Sequence, residues 1–280
     1  EKETKEKLDF QVAPVQIIPT FDIDNAFAYN YKTGSRKILS KAKDLVQGNK
    51  FRQKERAQVL TGKLKDPYDG YEKILSIAKN FPTHVFWLVG DYGKKDFNIT
   101  IETPEIESLV TEIGINSSIG IHPSYRSNSE SNLLKKEINR LEKVTNSKTL
   151  SSRQHFLKLR FPETFHALLH NEINEDFTMG FADQIGFRNG TARSFHWFDL
   201  SKNEKTKLLI RPFAYMDGSL NEYLKLSTTE AKNRIEKLLQ EVEKFGGDFI
   251  FLWHNETITD HGIWKGWSSV LDFTLSLKTK

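Results

Sequence analysis

The sequence predicts an α/β fold, a single barrel of mainly parallel strands. Seven short apolar runs are typical of buried strands, and segments with the spacing of amphipathic helices separate most of them. Strands that alternate with helices over a whole chain favour a parallel sheet with right-handed crossovers. A chain of 280 residues, 38% of them hydrophobic, can bury one large core. Seven strands in one domain favour a closed or nearly closed barrel over an open sheet.

The strands and helices are predicted from these runs in order. The predicted strands cover residues 15–24, 84–91, 117–124, 152–159, 176–183, 207–218 and 248–255. The predicted helices cover residues 69–80, 103–113, 128–144, 162–173, 228–245 and 260–277. Pro104 and Pro162 stand where a first helical turn accepts proline, and Gly246 stands where a left-handed stop is expected after the helix 228–245.

No sequence signal divides the chain into two domains. We treat residues 1–280 as one domain, with 1–14 peripheral and with 30–65 and 193–206 as insertions over the core. No apolar run reaches the length of about 18 residues that predicts a membrane span. The charged start, EKETKEKLDF, lacks the apolar segment of a signal peptide, so we expect a cytoplasmic protein unless a signal was removed before residue 1. The sequence leaves the oligomeric state open.

Composition and missing motifs exclude several classes of function. The 41 basic and 37 acidic residues nearly balance and are spread along the chain, which argues against nucleic acid as a partner. Without cysteine, only histidine, aspartate and glutamate remain as strong metal ligands. The chain has no GxGxxG after the first strand and no GxxxxGKS or GxxxxGKT, which removes dinucleotide and P-loop sites. A serine hydrolase lacks support because no GxSxG elbow surrounds Ser124 or Ser152.

Ionisable residues stand at the end of almost every predicted strand. In a parallel barrel the C-terminal ends of the strands converge at one mouth, where active sites form. These residues are Asp22, Asp24, Asp91, His122, Arg153, His155, Asp183, Arg211, Asp217 and His254. Each residue alone could be a cap or a core hydrogen-bonding group, but so many of them at one mouth are poorly explained in that way. The pattern therefore predicts a polar functional site there.

Part of this set suits a divalent metal ion. Asp24, His122 and His155 offer the oxygen and nitrogen donors of a site that keeps an open position for water or substrate. Asp22 would then be free to act as a base, and His254 as an acid toward a leaving group. A metal ion there would acidify its water and polarise a carbonyl oxygen, which is the arrangement for hydrolysing an amide or an ester.

Four of these segments resemble, in chain order, the motifs of the polysaccharide deacetylase (NodB-homology) family. They are TFDID after the first strand, IGIHPSY on the third, RQHF on the fourth and FLWHN on the last. The stretch MGFADQIGFRNGTARSFHWFDL further resembles a bacterial subgroup tied to surface-polysaccharide genes. The resemblance implies a distorted (β/α)7 barrel and a metal-dependent hydrolase, often with zinc, that removes acetyl groups from a sugar or polysaccharide.

The resemblance also implies a role for individual residues. Asp22 would be the base, Asp24 a metal ligand and His122 the first metal histidine. Arg153 would orient the base, and His254 would be the acid. The substrate would be an acylated sugar or polysaccharide.

Two departures from the family pattern leave alternatives open. The adjacent acids of the family are separated here by Ile23, so Asp22 and Asp24 could exchange roles. The second histidine of the family's His-x-x-x-His is Arg126 here, and a cation cannot ligate a metal. His155, predicted near the rim on the fourth strand, could replace it. Otherwise the site would be metal-free, with Arg126 neutralising the acids in a barrel that binds glycans without hydrolysing them.

Substrate contacts are predicted at the same rim. We assign them to Asp183 at the end of the fifth strand, Arg188 in the loop GFRNGT and Trp197 in the aromatic cluster SFHWFDL. Trp264 is a second candidate for stacking on a sugar ring, although core packing explains most of these aromatics. Arg211 could point inward and pair with an aspartate of the site.

Overall fold

A mixed, mostly parallel sheet of nine strands organises the residues that the computed structural model describes, 14–32 and 48–277. The strands are β1 (Ile17–Ile23), β2 (His84–Leu88), β3 (Ser118–His122), β4 (Ser151–Ser152), β5 (Glu175–Asp176), β6 (Phe195–Asp199), β7 (Glu204–Ile210), β8 (Tyr215–Met216) and β9 (Phe249–His254). Their order in the sheet is β6-β7-β5-β4-β3-β2-β1-β9-β8, and only the β6–β7 pair of these strands is antiparallel.

The sheet curls into a barrel because one continuous segment pairs with β5 on one side and with β9 on the other. Residues 207–218, predicted as a single strand, contain the end of β7 and all of β8. On one side, Ile210 of β7 pairs with Asp176 of β5, and on the other, Tyr215 of β8 pairs with Phe251 of β9. Residues 211–214 connect the two pairings. This confirms the prediction of a distorted α/β barrel with mainly parallel strands.

Helices cover the outside of the sheet. They are α1 (Lys50–Leu60), α2 (Tyr71–Ala78), α3 (Pro104–Gly114), α4 (Ser131–Thr145), α5 (Glu163–His170), α6 (Thr228–Phe245) and α7 (Ser268–Ser276). Local signals set their ends: Pro104 opens α3, Ser227 and Glu230 form a capping box before α6, and Gly246 ends α6 at a φ of +78°. Within the described residues, none of these helices has the length and apolar character needed to cross a membrane.

The strands place alternate side chains in two separate apolar clusters. In β1, Phe21 and Ile23 face outward and join the large core beneath the helices. Ile18 faces the barrel interior, where it packs with side chains such as Phe86 and Leu252. Since side chains alternate along a strand, Asp22 shares the interior face with Ile18. Asp22 therefore reaches the top of the barrel interior rather than the helical layer.

Two predicted strands are much shorter than expected. The run 152–159 contributes only Ser152, the second residue of β4, and a short 3-10 turn then covers His155–Leu157. Phe156 and Leu157 in this turn have left-handed φ angles of 58° and 50°, which a continuing strand could not contain. The run 176–183 contributes only the end of β5, at Asp176.

The two predicted insertions and the predicted peripheral start have different outcomes. The segment 193–206 contains β6 and the beginning of β7, which form a hairpin at one end of the sheet. Helix α1 lies within 30–65, whereas residues 33–47 of that segment lie outside the described residues. Residues 1–13 of the predicted peripheral start also lie outside them. Those parts of the prediction stay predictions.

We expect Gly120→Ala to destabilise the protein by about 1–3 kcal/mol, because it overfills the barrel interior. A Cβ atom at Gly120 would lie 2.5 Å from the ring of Phe86 and 2.6 Å from Oγ of Ser151. The free energy of unfolding in urea measures the effect. Gly114→Ala is the matched control, since its Cβ would meet Ile119 at an ordinary 3.4 Å. Equal stability of the two variants would contradict the interior packing described here.

Candidate active site

A cleft of about 240 Å³ opens at the C-terminal mouth of the barrel. Six residues predicted at the strand ends line it: Asp22, Asp24, His122, His155, Asp217 and His254. They come from β1, β3, the turn after β4, the end of β8 and β9. The sheet register partly explains why these residues lie close together, because Asp22 of β1 is paired with His254 of the adjacent strand β9.

Asp24, His122 and His155 bring three potential ligand atoms together. Oδ1 of Asp24 lies 3.1 Å from Nε2 of His122, and Oδ2 of Asp24 lies 3.4 Å from Nε2 of His155. The three side chains each offer one ligand atom, and these atoms all lie within 4.8 Å of one another. Both histidines are buried, whereas about a third of the Asp24 side chain is exposed, at 31%. The group is therefore open to the cleft on the side of Asp24.

The backbone fixes which nitrogen of His122 faces the group. Nδ1 of His122 lies 2.6 Å from the carbonyl oxygen of Arg153, which can only accept a hydrogen bond. Nδ1 must therefore carry the proton and donate it. In the neutral ring this leaves a lone pair on Nε2, directed at Asp24.

A carboxylate fixes His155 in the same way. Nδ1 of His155 lies 2.8 Å from Oδ1 of Asp96, a side chain that is buried in the loop after β2. Nδ1 donates to this carboxylate, and Nε2 faces Asp24. A histidine held by a carboxylate on one nitrogen and a metal on the other is a recurrent arrangement in metalloproteins.

The donor set needs a positive charge at its centre. Two imidazole lone pairs and a carboxylate would repel one another unless each Nε2 is protonated or a cation lies between them. Oδ1 of Asp24 is buried and accepts no hydrogen bond. Burial alone would lower the pKa of His155, but the charge of Asp24 and hydrogen bonds to Asp24 and Asp96 raise it to about 9. These residues fit a divalent metal ion, which prefers such nitrogen and oxygen donors.

Asp22 is held beside this group by a buried arginine. Oδ1 of Asp22 accepts a hydrogen bond from Nη1 of Arg153 at 2.9 Å, and both side chains are almost fully buried, at 2% and 0% exposure. The guanidinium group also donates through Nε to the carbonyl of Phe177 and lies 4.7 Å from the ring centre of Phe86. The other carboxylate oxygen of Asp22 is 3.8 Å from Nε2 of His122. Arg153 thus compensates the charge of Asp22 and restrains its position.

His254 and Asp217 form a second ion pair on the β9 side of the cleft. Nδ1 of His254 donates to Oδ1 of Asp217 at 2.9 Å, and the backbone N–H of His254 donates to Oδ2 at 2.8 Å. Thr257 donates its hydroxyl to the same carboxylate. Burial alone would lower the pKa of His254, but the charge and hydrogen bond of Asp217 raise it well above its usual value. The pairing with Asp217 therefore favours the protonated imidazole, and His254 lines the cleft.

Two arginines lie away from the acids of the site. Arg126 is exposed and pairs with Glu130 at 3.4 Å, so the expectation that it neutralises the acids is wrong. Arg211 pairs with Glu175 and Asp248, each at 3.5 Å, beside the first residues of β5 and β9. The expectation that it points to an aspartate of the site is also wrong, because both of its partners lie where strands β5 and β9 begin, away from the C-terminal mouth.

The three residues predicted to contact substrate do not line the cleft. Trp197 lies in β6 and packs against Phe165 and His166, with ring centres 5.3 Å apart in each pair. Asp183 and Arg188 are exposed in the segment between β5 and β6. That segment leaves the mouth near Ala182, which accepts from Ser219, and reaches the start of β9, where Ala192 accepts from Asp248. This path carries Arg188 away from the rim. Trp264, the second aromatic candidate, does line the cleft.

Sequence reasoning missed two acidic residues, Asp96 behind His155 and Glu256 in the cleft. Asp96 lies in a loop eight residues beyond the end of β2, and nothing in its local sequence marks it. Glu256 lines the cleft two residues after His254, where burial raises its pKa and Tyr68 hydrogen-bonds to it. Its position just past the end of β9 was the available signal.

Comparison with solved structures identifies the fold that carries this site. A candidate polysaccharide deacetylase from Mycobacterium smegmatis matches with a TM-score of 0.55 and 12% sequence identity, over 96% of this chain and 90% of that one. The Puue allantoinase matches with a TM-score of 0.53 and 9% identity, over 93% of this chain and 85% of that one. A CE4-family pseudoenzyme from Bacillus anthracis matches at a TM-score of only 0.39, with 11% identity over 92% of this chain and 61% of that one.

At these identities the matches establish the fold alone. No protein-family model matches the sequence, and no curated protein does. The chain therefore has the fold of the polysaccharide deacetylases, which the four sequence motifs predicted, and a cleft whose residues fit a divalent metal ion.

We expect Arg153→Met to lower the free energy of unfolding by about 3–5 kcal/mol, because buried Asp22 loses the cation that compensates it. The double variant Asp22→Asn with Arg153→Met should recover part of this loss, since no uncompensated charge remains. Urea unfolding of the single and double variants gives the comparison. Lys136→Met, which removes an exposed partner of Asp91, should cost at most about 1 kcal/mol. A double variant no more stable than Arg153→Met would contradict the role of Arg153.

Proposed function

We propose that this protein is a zinc-dependent hydrolase of the polysaccharide deacetylase family that removes an acetyl group from a sugar or polysaccharide. One observation carries the proposal. Asp24, His122 and His155 converge in one cleft that Asp22, held by Arg153, and His254, held by Asp217, also line. A metal site, a base and an acid are the parts that acyl hydrolysis requires.

The distances favour Asp24 over Asp22 as the metal ligand. Asp24 directs one carboxylate oxygen at each histidine, at 3.1 and 3.4 Å. Asp22 keeps 3.8 Å from His122 and gives its other oxygen to Arg153. A bound divalent ion would supply Lewis acidity at the acyl carbonyl and lower the pKa of water in the cleft.

Asp22 would act as the base. Its carboxylate lies beside the ligand group and takes the proton from the water whose oxygen attacks the acyl carbon. The hydrogen bond from Arg153 holds the carboxylate in one orientation, and the buried aromatic rings around Arg153 leave it little freedom to move. Preorganised groups of this kind need no rearrangement during the reaction.

His254 would act as the acid. As the bond between the acyl carbon and the sugar nitrogen or oxygen breaks, Nε2 of His254 donates its proton to the leaving atom. The products are acetate and a free amine or hydroxyl on the sugar. Asp217 keeps the imidazole protonated before this step and holds its orientation through three hydrogen bonds to residue 254.

Aromatic and polar side chains around the ligand group suit a sugar ring. Trp264, Tyr223 and Phe156 line the cleft with Glu222 and Glu256. Aromatic faces stack on the apolar faces of sugars, and carboxylates accept hydrogen bonds from hydroxyl groups. This support replaces the predicted contacts of Asp183, Arg188 and Trp197.

The alternative is a barrel that binds glycans without hydrolysing them. The replacement of the family's second motif histidine by Arg126 favours it. The position of His155 favours hydrolysis instead, because this histidine completes the group at Asp24. Measurement of acetate release decides between the two.

We expect the purified protein, loaded with Zn²⁺, to release acetate from a panel of N-acetylated and O-acetylated glycans. A chelator should abolish the release, and added Zn²⁺ should restore it. His155→Ala should lose both the bound zinc and the activity, by about two orders of magnitude or more in kcat/KM, because one of three donors is gone. Acetate release and zinc content are the measurements.

His166→Ala is the matched control for this loss. His166 pairs with Asp199 at 2.6 Å outside the cleft, so its removal should leave zinc content and activity unchanged. Glycan binding by the zinc-loaded protein without any acetate release would support the binding alternative. A full zinc complement in His155→Ala would reject His155 as a ligand.

We expect Asp217→Asn to shift the alkaline limb of the pH profile of kcat/KM to lower pH. Asp217 raises the pKa of His254, so the acid stays protonated until the pH rises through that raised value. Without the negative charge the pKa falls, and activity is lost at a lower pH. Asp272→Asn, an exposed acid paired with Lys73, is the control and should keep the profile of the unmodified protein. Identical profiles for both variants would show that His254 is not the acid.

A further inference from the structure

We propose that Asp96 is a positioning residue for the metal centre, which fixes the tautomer and the ring orientation of His155. This inference rests on the proposed function, because it takes His155 as a metal ligand. It assigns a role to a residue that the four sequence motifs do not contain, in the loop between β2 and α3.

The contact geometry supports this role directly. Oδ1 of Asp96 lies 2.8 Å from Nδ1 of His155, and the side chain of Asp96 is 1% exposed. The ring nitrogen must donate, because an ionised carboxylate can only accept. The lone pair of the neutral ring is then on Nε2, which faces Oδ2 of Asp24 at 3.4 Å. The opposite tautomer would present an N–H to the metal and could not bind it.

His155 needs this external support more than His122 does. His122 is the last residue of β3, and a backbone carbonyl fixes its ring. His155 begins a 3-10 turn in which the next two residues, Phe156 and Leu157, have left-handed φ angles. Its own strand ends at Ser152, so the sheet does not restrain its ring. A carboxylate from another loop supplies the missing restraint.

Asp96 is itself held in place. Its Oδ1 also accepts the backbone N–H of Tyr125 at 2.9 Å, which ties it to the segment after β3. Its backbone carbonyl accepts the N–H of Gly93 at 2.8 Å, closing the loop on itself. Lys95 next to it lies over the ring of Phe156, 5.4 Å from the ring centre. The loop therefore contacts the turn that carries His155 at two points, through Asp96 on His155 and through Lys95 on Phe156.

One buried oxygen of Asp96 has no hydrogen-bond partner. Oδ2 is buried and accepts no hydrogen bond, although a buried charged oxygen normally has a donor. The hydrogen bonds that reach this carboxylate therefore all end on Oδ1, where Nδ1 of His155 is one of the donors. A carboxylate that accepts from Nδ1 makes the ring a stronger base at Nε2 and hence a stronger ligand.

A purely structural ion pair is the competing explanation of the same contact. In that case Asp96 stabilises the fold through a protonated His155, with no relation to a metal. The two explanations differ in what an amide at this position changes. A structural pair affects the stability of the metal-free protein, whereas a positioning residue affects the affinity for the metal.

The test compares Zn²⁺ affinities of the unmodified protein, Asp96→Asn and Asp91→Asn, by competition with a chromophoric chelator. Asp96→Asn keeps the size of the side chain and an Oδ1 that can accept from Tyr125 and from His155, so the loop can still close, but it removes the carboxylate charge that favours the Nδ1–H tautomer. We expect it to weaken the Kd for Zn²⁺ by about 10- to 100-fold. Asp91→Asn is the matched control: the same change in the same loop, at an acid whose partners Lys136 and Arg140 lie outside the cleft. It should leave the Kd unchanged.

A second comparison, made in the His155→Ala variant, separates an effect of Asp96 on His155 from a general disturbance of the fold. In His155→Ala, the change Asp96→Asn should cost no further Zn²⁺ affinity, because its target is absent. Urea unfolding of each metal-free variant shows whether the fold is retained. An unchanged Kd in Asp96→Asn, with lower stability of the metal-free protein, would overturn this inference and leave the proposed function intact. An equal loss of affinity in both backgrounds would also overturn it. If the unmodified protein binds no Zn²⁺, the proposed metal centre itself fails.

Discussion

The buried pair of Asp22 and Arg153 is the interaction on which the rest of the site depends. The guanidinium group of Arg153 lies over the rings of Phe86, Phe177 and Phe213, so it is both the top of the apolar interior and the partner of Asp22. Its backbone carbonyl accepts a hydrogen bond from Nδ1 of His122 and so selects the tautomer of that ring. Arg153 thus contacts the packed interior, Asp22 of β1 and His122 of β3. The apolar core and the mouth of the barrel are therefore directly connected through this residue.

Much of the fold could be predicted because strand periodicity acts locally. Alternation in β1 and β9 puts Asp22 and His254 on the interior face, and both runs are long enough for the pattern to be read. The fourth and fifth strands were overestimated because their extent depends on neighbours. Beyond Ser152 the chain leaves the ladder in a turn that Phe156 enters with a φ of 58°, and apolar pattern alone cannot reveal such a turn.

The same distinction, between local pattern and dependence on distant neighbours, separates the site residues that could be predicted from those that could not. Those at strand ends, such as Asp24 and His122, could be found because parallel strands deliver their ends to one mouth. Asp96 could not, since its partner His155 lies 59 residues away and the two loops meet only in the folded barrel. Arg188 was predicted at the rim but does not line the cleft, for a different reason. Its loop begins at the mouth but runs to the start of β9, and no local signal records that direction.

The closure of the barrel by β7 and β8 has a consequence for how the protein responds to heat. Two short pairings hold this seam, and Asp217 follows directly at the end of β8. Regions with few pairings open at lower free energy than the whole domain. Breathing at the seam would move Asp217 and release His254 while the longer strands β1, β2 and β3 stay paired. Heating would then disturb the position of His254 before the secondary structure is lost.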